Sequence, residues 1–308
     1  MMTEKQNIKI GDTIAMIGLG RMGHGMAVNL LKAGFKLRGL AHPGNQPLDD
    51  LINAGAVICD DIASTLLEAK LVIICVTGTD DVEAVLSGAG GILEAATAPL
   101  MIMDCSTGIP ADTRKRHEKA LAQGHFLFDP AMTRTPAEAA EGRLNLIIGG
   151  DDSLKAQIDP VLTTIAEVVT IVGNNGAGAI GMGQEAKLIH NFVSLGFSAI
   201  LAEAAARADE SGMSRATFME LIGKGGGGGV VFDRFGPFLE EGRKDAFNFT
   251  IANAAKDLGY FDRAYFDRMG GKDSLNSAIL ALYDEANQGD EATVPELVDH
   301  IRRKLSQG

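Results

Sequence analysis

The feature that most constrains this chain is a glycine pattern between an apolar segment and a helical one. Residues 14–17 are four consecutive apolar residues, which is typical of a short strand in a sheet covered on both faces. Gly18, Gly20 and Gly23 follow at once in the spacing G-x-G-x-x-G. Apolar residues then recur at helical spacing as far as Gly34, which is placed to end the helix. A strand, a tight turn and a helix are therefore predicted in this order.

This arrangement predicts a dinucleotide site. Gly18 would permit the tight turn, Gly20 would let the backbone approach a pyrophosphate, and Gly23 would let helix and strand pack closely. The N–H groups at the helix start would face the phosphates. Because the chain has 38 glycines, only the strand before and the helix after make the pattern informative, and the alternative is an ordinary strand-to-helix turn. The predicted cofactor contacts here are Gly18, Leu19, Gly20, Arg21, Met22 and Gly23.

A second predicted strand, at residues 37–41, bears on which dinucleotide is bound. An acidic residue at its end would bind the adenosine ribose hydroxyls of NAD. The chain has Leu-Ala-His-Pro-Gly there, without a carboxylate, and Arg38 and His42 are nearby cations. The lack of a repelling charge slightly favours NADP, with His42 as a cofactor contact, and a solvated turn is the alternative.

Strands and helices alternate through the first 177 residues. Further strands are predicted at residues 57–59, 71–76, 100–104, 126–128, 145–148 and 168–172. Helices are predicted at residues 61–69, 80–86 and 111–123. This alternation predicts an α/β fold, with a Rossmann-type, doubly wound and mostly parallel sheet whose ligand lies at the carboxyl ends of the strands. Three loops are expected at those ends, at residues 76–78, 104–108 and 129–135.

The composition changes at Asn174, where a glycine-rich stretch begins. The pattern beyond it is helical, without a clear strand, and starts with a long alanine-rich interdomain helix at residues 184–208. We therefore predict a dinucleotide-binding domain at residues 1–177 and an all-helical substrate and dimerisation domain at 178–308. Five consecutive glycines, 225–229, cannot form a stable helix interior, and they are either a flexible connector or a mobile loop over the site.

Composition and charge narrow the function classes. The net charge of -12 argues against nucleic acid or an anionic membrane as a partner, and an anionic substrate would need a local basic pocket. Cys59, Cys75 and Cys105 lack the spacing of metal ligands, so no metal is predicted and free thiols in a reducing compartment are expected.

A cytoplasmic location is predicted as well. The N-terminus has no apolar signal-like core, and no apolar run approaches the roughly 20 residues of a membrane span. The longest candidate, residues 186–206, carries Lys187, His190, Asn191 and Glu203.

A lysine and an asparagine near the start of the long helix are candidates for chemistry. Lys187 lies among apolar neighbours, which is a poor position for a surface charge, and Asn191 follows four residues on, so both face the same way. A lysine in a helix is usually solvated. A Lys–Asn pair just after a glycine-rich hinge, beside a dinucleotide domain, favours an active-site role.

Four motifs together resemble the β-hydroxyacid dehydrogenases, the 3-hydroxyisobutyrate dehydrogenase-like enzymes, over nearly the full chain. The glycine motif is similar to the family's cofactor fingerprint, and residues 104–110, Asp-Cys-Ser-Thr-Gly-Ile-Pro, to its Asp-x-Ser-Thr-x-x-Pro substrate loop. Residues 181–191 are similar to its catalytic G-x-G-x-x-x-K-x-x-N-N, and residues 256–258 match its Lys-Asp-Leu. The order and spacing of all four make the resemblance specific.

The resemblance implies roles for these residues. Lys187 would be the catalytic acid/base, bonded to the substrate hydroxyl or carbonyl oxygen while hydride moves to or from the nicotinamide of NAD(P), and Asn191 would position the substrate and the lysine. The other implied contacts are Ser106, Thr107 and Gly108 with the substrate carboxylate, Val76, Thr77, Ser106 and Lys256 with the cofactor, and Asp257 with the substrate.

Two positions depart from the family's pattern. His190 stands where the family usually has the first asparagine of a pair, so an altered substrate preference is expected. The family's Asp-Ala-Pro-Val-Ser-Gly-Gly loop is Asp-Pro-Ala-Met-Thr-Arg-Thr at residues 129–135, so that two glycines have become Arg134 and Thr135. A guanidinium there suits a carboxylate, phosphate or sulfonate, and the Arg–Thr pair resembles the sulfolactaldehyde reductase branch.

Thr133, Arg134 and Thr135 are therefore predicted substrate contacts. The alternative for Arg134 is a salt bridge to Glu138 or Glu141 on the following helix.

The predicted activity is an NAD(P)-dependent 3-hydroxyacid dehydrogenase or small anionic semialdehyde reductase, and sulfolactaldehyde reductase-type activity is the narrower alternative. A short-chain dehydrogenase is excluded because none of Tyr260, Tyr265 and Tyr283 has a lysine four residues on. A non-catalytic NADP-binding regulator or adaptor on the same fold is the alternative of another class. A homodimer or homotetramer is expected, because an alanine-rich helix in an all-helical domain often packs on its twin.

Overall fold

The structure is a computed structural model that describes residues 7–150, 152–173, 179–269, 274–289 and 291–307. The predicted domain boundary at residue 177 lies outside the described residues. The chain divides into two compact units, Met1–Lys187 and Leu188–Gly308, and each has its own hydrophobic core.

The first unit contains the strands and most of the short helices. Its strands are β1 (Thr13–Ile17), β2 (Lys36–Leu40), β3 (Val57–Cys59), β4 (Ala69–Ile74), β5 (Met101–Asp104), β6 (Phe126–Phe128), β7 (Pro130–Thr133), β8 (Leu144–Gly149) and β9 (Ala166–Val172). Its helices are α1 (Arg21–Lys32), α2 (Asp49–Asn53), α3 (Ile62–Thr65), α4 (Thr79–Ser87), α5 (Ile92–Ala95), α6 (Pro110–Ala122), α7 (Pro136–Ala140) and α8 (Asp152–Ile165).

Six strands form a parallel sheet in the order β3-β2-β1-β4-β5-β6. Alternate residues of β1 enter different cores: Ile14 and Met16 pack with α1, and Ala15 and Ile17 with α4. Both faces of the sheet are therefore covered by helices. The strand order reverses between β1 and β4, which is where such sheets bind ligands at the carboxyl ends of the strands. The predicted Rossmann fold is confirmed, and it places the loops after β1, β4 and β5 at one edge.

Two local predictions are wrong. Residues 130–133, predicted as part of a loop, form β7, which pairs antiparallel with β8, and β8 pairs parallel with β9 in a separate three-stranded sheet. Pro130 is tolerated because it is the first residue of its strand. The helix predicted at 61–69 ends at Thr65, because Glu68 adopts φ +61° and Ala69 already begins β4.

The second unit is helical, as predicted. The long helix α9 (Met182–Glu210) begins in the first unit and continues into the second, and it is followed by α10 (Arg215–Lys224), α11 (Val230–Glu241), α12 (Ile251–Met269), α13 (Leu275–Ala286) and α14 (Leu297–Leu305). Two 3-10 turns, Asp245–Phe247 and Val294–Glu296, lie between them. The glycines 225–229 join α10 to α11, and whether they are a connector or a mobile loop stays a prediction.

Helix α9 is long and apolar, and it is only partly buried. By length and composition it could cross a membrane, and no second helix of the described residues meets the same test. Half of its most apolar stretch is buried inside the fold, as in the core helix of a globular protein.

A carboxylate from a distant segment binds the start of α9. Asp129, which follows β6 and is fully buried, accepts hydrogen bonds from Gly181 N–H at 2.9 Å and Gln184 N–H at 3.0 Å. Burial raises the pKa of Asp129 to about 7 against the two N–H donors that lower it, and the charge of Asp104 raises it further.

This buried acid makes stability depend on pH. The pKa of Asp129 in the folded state, about 7, lies above the ordinary value of 3.8, so the folded protein binds more protons on this group between those two values. Its contribution to the free energy of unfolding is therefore present below about pH 4 and is lost as the pH rises through about 7. Asp129→Asn removes this titration. We expect the difference in unfolding free energy between wild type and variant, measured by urea unfolding, to shrink as pH rises across that window; a difference independent of pH would contradict the assignment.

The packing of α1 against α7 gives a second prediction. A Cβ on Gly25 would lie 2.6 Å from Ala140 N, and Asn29 Nδ2 donates to Ala139 O at 3.0 Å across the same contact. Gly25→Ala should therefore destabilise the protein by about 1–3 kcal/mol, measured by calorimetry, because the two backbones must move apart. Gly259→Ala in α12 is the control: among the described residues no atom lies within 4 Å of the added Cβ, and a gain of roughly 0.5–1 kcal/mol is expected. Equal effects at both sites would exclude this explanation.

Candidate active site

The glycine turn after β1 is built from close backbone contacts. Gly18 has φ +97°, and a Cβ there would lie 2.2 Å from Cys75 O after β4. A Cβ on Gly23 would lie 2.0 Å from Gly18 O. Helix α1 starts after Gly20 without a side-chain cap among the described residues and without an acidic residue in its first turn. Its first N–H groups and its dipole thus suit the pyrophosphate of a dinucleotide.

Asn45, which was not predicted from the sequence, hydrogen-bonds the β2–α2 loop to this turn. Leu19 has its side chain in the core, and its N–H donates to Asn45 Oδ1 at 3.2 Å. Asn45 Nδ2 donates to Leu40 O at 2.9 Å, and Gln46 N–H donates to Leu19 O at 2.9 Å. Leu19 can therefore meet a cofactor only through its backbone. A turn-forming Asn directly after Pro43-Gly44 was the available signal for Asn45.

The two cations near β2 are placed differently. His42 is exposed at the end of the strand, and its Nδ1 accepts from Gly44 N–H at 3.0 Å. Arg38 donates from Nε to Ser64 O at 2.9 Å and from Nη2 to Cys59 Sγ at 3.4 Å, so its guanidinium is bound to α3 and β3. Of this pair, His42 stays available to a cofactor phosphate. Arg21 and Met22, at the start of α1, are exposed and half-buried.

The loop after β5 is joined to the loop after β4. Ser106 Oγ accepts from Val76 N–H at 3.0 Å, and Ser106 N–H donates to Asp104 Oδ1 at 3.0 Å. Burial raises the pKa of Asp104 to about 6. The Ser106 side chain also hydrogen-bonds to Asp104, which lowers the pKa of that carboxyl against the effect of burial. The structure thus brings Val76 and Ser106 together, while Thr77 is exposed and Thr107 half-buried.

Gln184 connects this loop to α9, and sequence reasoning did not single it out. It is fully buried, its Oε1 accepts from Gly108 N–H at 2.9 Å, and its Nε2 donates to Ser106 O at 2.7 Å. The Gly108 amide, predicted to hold a substrate carboxylate, is bound by Gln184 instead. Lys187 follows three residues on and is 9% exposed, so it lies on the same side of the helix as Gln184.

The predicted residues of the second unit form a chain of polar contacts. Asn191 Nδ2 donates to Asp257 Oδ2 at 2.7 Å, and Lys256 Nζ lies 3.1 Å from Asp257 Oδ1. Asn191 and Asp257 are buried. His190 Nδ1 lies 3.0 Å from Asn191 Oδ1. Because the carboxylate can only accept, the Asn191 amide must donate to it, and His190 must carry a proton on Nδ1 to donate to the amide oxygen.

Arg134, one of the two positions that depart from the family's pattern, has an unusual backbone conformation. Arg134 adopts φ +80°, a left-handed conformation that favours glycine and explains why the resembled family has glycine there. Its guanidinium donates to Glu167 in β9 and to Arg143 O. The hydrogen bond from Arg134 lowers the pKa of Glu167. The salt bridge named as the alternative exists, but with Glu167 as its partner.

The neighbours of Arg134 have structural contacts of their own. Thr133 ends β7 opposite Asn145. Thr135 caps α7: its N–H donates to Glu138 Oε2 at 3.0 Å, and its hydroxyl bonds the same oxygen. Glu141, the other predicted partner, pairs with Arg143. Across the residues that the structure describes, no group of three His, Cys, Asp or Glu side chains could hold a metal.

Two family models match the chain. Residues 13–173, more than half of it, match the NAD binding domain of 6-phosphogluconate dehydrogenase. Residues 181–297 match the NAD-binding domain of NADP-dependent 3-hydroxyisobutyrate dehydrogenase.

Individual proteins agree with these matches. The chain is 30% identical to a 3-hydroxyisobutyrate dehydrogenase of Pseudomonas aeruginosa over 254 residues, 80% of this chain and 83% of the relative. It is 33% identical to the 3-sulfolactaldehyde reductase of Escherichia coli over 192 residues, 62% of each chain. Among solved structures, the Mycobacterium tuberculosis 3-hydroxyisobutyrate dehydrogenase with L-serine superposes with a TM-score of 0.82 at 26% identity, covering 94% of this chain and 99% of that one. The chain therefore belongs to the β-hydroxyacid dehydrogenase family, the 3-hydroxyisobutyrate dehydrogenase-like NAD(P)-dependent oxidoreductases.

Proposed function

We propose that this protein is a 3-hydroxyacid dehydrogenase or small anionic semialdehyde reductase in which Lys187 is the catalytic acid/base. The observation that carries the proposal is the burial of Lys187, 9% exposed, three residues after the glutamine that binds the Ser106–Gly108 backbone. A buried ammonium on the helix that binds this loop suits a substrate that has both an oxygen to be protonated and an anionic end.

Bound NAD(P) supplies the hydride donor or acceptor. The chain's own part is to orient the substrate and to manage its proton. Lys187 donates a hydrogen bond to the substrate oxygen, stabilises charge that develops on it, and gives or takes its proton. Ser106 and Thr107 bind the carboxylate, and Asn191, bound by Asp257, orients the substrate.

The cofactor contacts are proposed on the same basis. The uncapped start of α1 and the turn at Gly18, Gly20 and Gly23 would hold the pyrophosphate. Val76, Thr77, Ser106 and Lys256 are the other proposed contacts. His42, exposed at the end of β2, favours NADP over NAD, since no carboxylate stands there.

The anionic tail of the substrate is assigned to Arg134 and Thr135. The named activity of one relative, 3-sulfolactaldehyde reductase, supports a sulfonated aldehyde as the narrower choice. A non-catalytic NADP-binding regulator is the competing proposal. Turnover of NADPH and NADH with a panel of carboxylated and sulfonated semialdehydes would separate the two, because a regulator would show none.

We also propose that the protein is a cytoplasmic homodimer or homotetramer. Three apolar residues of α9, Ile189, Val193 and Ile200, are 48%, 63% and 61% exposed and lie within one helical stripe. Such a stripe supports packing of α9 on a second copy.

The role of Lys187 can be tested directly. Lys187→Ala should reduce kcat by roughly 10²–10⁴-fold, because general acid–base catalysis and charge stabilisation by the ammonium are both lost. NADPH binding, measured by fluorescence, should change little. Lys115→Ala is the control, since Lys115 is 72% exposed on α6. An active Lys187→Ala enzyme would disprove the acid/base assignment.

The role of Arg134 needs variants that separate charge from the ion pair. If Arg134 binds the substrate anion, Arg134→Ala should raise KM for carboxylated or sulfonated aldehydes by about tenfold or more, the effect of losing one charged hydrogen bond. Glu167→Gln removes the ion-pair partner but keeps the guanidinium, so KM should stay the same or fall.

A third variant, Arg134→Gly, measures the backbone strain at this position. It should be more stable than Arg134→Ala by roughly 1–2 kcal/mol, because glycine adopts φ +80° without strain. If Arg134→Ala and Glu167→Gln lowered stability equally and left every KM unchanged, Arg134 would have a structural role only.

A further inference from the structure

We propose that Asp129 and Gln184 are positioning residues that hold the start of α9, and with it Lys187, in fixed register with the Ser106–Gly108 loop. We call these two side chains and their four backbone contacts the α9 clamp. The inference rests on the proposed function in one respect, that Lys187 and the loop act on the same substrate.

Gln184 uses both ends of its amide on one short stretch of backbone. Its oxygen accepts from Gly108 N–H and its nitrogen donates to Ser106 O, at 2.9 and 2.7 Å. An amide offers a donor and an acceptor side by side, which neither an ionised carboxylate nor an apolar side chain does. Any shift of α9 relative to the loop would break two buried hydrogen bonds at once.

Asp129 fixes the other side of the same turn. Its two oxygens bind Gly181 N–H and Gln184 N–H, which are among the N–H groups that a helix start leaves without an intrahelical partner. The backbones are in close contact as well, since a Cβ on Gly183 would lie 2.1 Å from Asp129 O. Gln184, whose side chain binds the loop, is therefore itself bound by Asp129 through its backbone N–H.

The clamp acts on Lys187 through helix geometry. Lys187 is three residues beyond Gln184, so the two Cβ atoms are roughly 5–6 Å apart on neighbouring rows of one face. Fixing Gln184 against the loop sets the distance from Lys187 to Ser106. The partners of Gln184 are backbone groups, so an apolar side chain at this position would leave Gly108 N–H and Ser106 O unpaired. These hydrogen bonds also specify one geometry, which proton transfer needs.

Hydrogen exchange followed by mass spectrometry tests the clamp without any assay of activity. Asp129→Asn, in the full-length protein, should accelerate amide exchange at residues 179–185 and also at residues 105–109 by about tenfold or more, because the loop is held through Gln184. Gln184→Leu should accelerate the same two segments. His125→Leu is the matched control: buried His125 Nδ1 accepts from Leu100 N–H at 3.2 Å, at the opposite end of β5. It should leave both segments unchanged.

Steady-state kinetics test whether the position of α9 relative to the loop affects catalysis. With a turned-over semialdehyde, both clamp variants should lower kcat by about tenfold or more, because Lys187 is no longer held in fixed register with the Ser106–Gly108 loop. Measurements well below each variant's melting temperature exclude loss through unfolding. In Gln184→Glu, kcat should recover as the pH falls, since only the protonated acid can donate to Ser106 O.

Two results would overturn the proposal. One is faster exchange at residues 179–185 with unchanged exchange at 105–109 in Asp129→Asn, which would show that the two segments are not coupled. The other is coupled exchange with an unchanged kcat in both clamp variants. If the wild-type protein turned over no substrate, the proposed function would fail, and the exchange data would still decide whether the clamp exists.

Discussion

The loops at the carboxyl edge of the sheet depend on one constraint: a buried N–H group must have a hydrogen-bond acceptor. Side chains meet it at several places, among them Asn45 as the acceptor for Leu19, Ser106 for Val76, Gln184 for Gly108, and Asp129 for the start of α9. The starts of α1 and α6 have no side-chain cap among the described residues, and the start of α1 is the one that follows the glycine turn. The uncapped N–H groups at the start of α1, next to this turn, therefore suit a phosphate of the dinucleotide.

Sequence patterns predicted the parts of the molecule that depend on local spacing. The apolar run before Gly18, the glycine spacing and the helical stripe after it define β1, the turn and α1 in the structure. Residues 130–133 carry no strand pattern, and only pairing with β8 makes them a strand. Asn45 and Gln184 were not predicted for a related reason. An amide side chain in a turn or a helix is common, and only its partner, 26 residues away for Asn45 and 76 for Gln184, shows what it does.

Charge in this acidic protein is distributed so that cations next to the loops have specific partners. Arg38 is held by Ser64 and Cys59, and Arg134 by Glu167. Lys256 lies beside Asp257, which in turn binds Asn191. Each arrangement fixes the position of a cation without removing its charge. A protein with a net charge of -12 can attract a small anion only through such local placement.

The left-handed backbone at Arg134 has an evolutionary consequence. A drift to glycine would release roughly 1–2 kcal/mol of strain, whereas a half-exposed ion pair contributes about 0–1 kcal/mol. Stability alone would therefore favour glycine at this position, and the proposed role of the guanidinium in binding the substrate anion would explain why arginine is present. If Arg134 binds the substrate anion as proposed, the residue at 134 should change among diverging descendants together with the ligand that each lineage uses. The residues of β7, which precede it, should change more slowly.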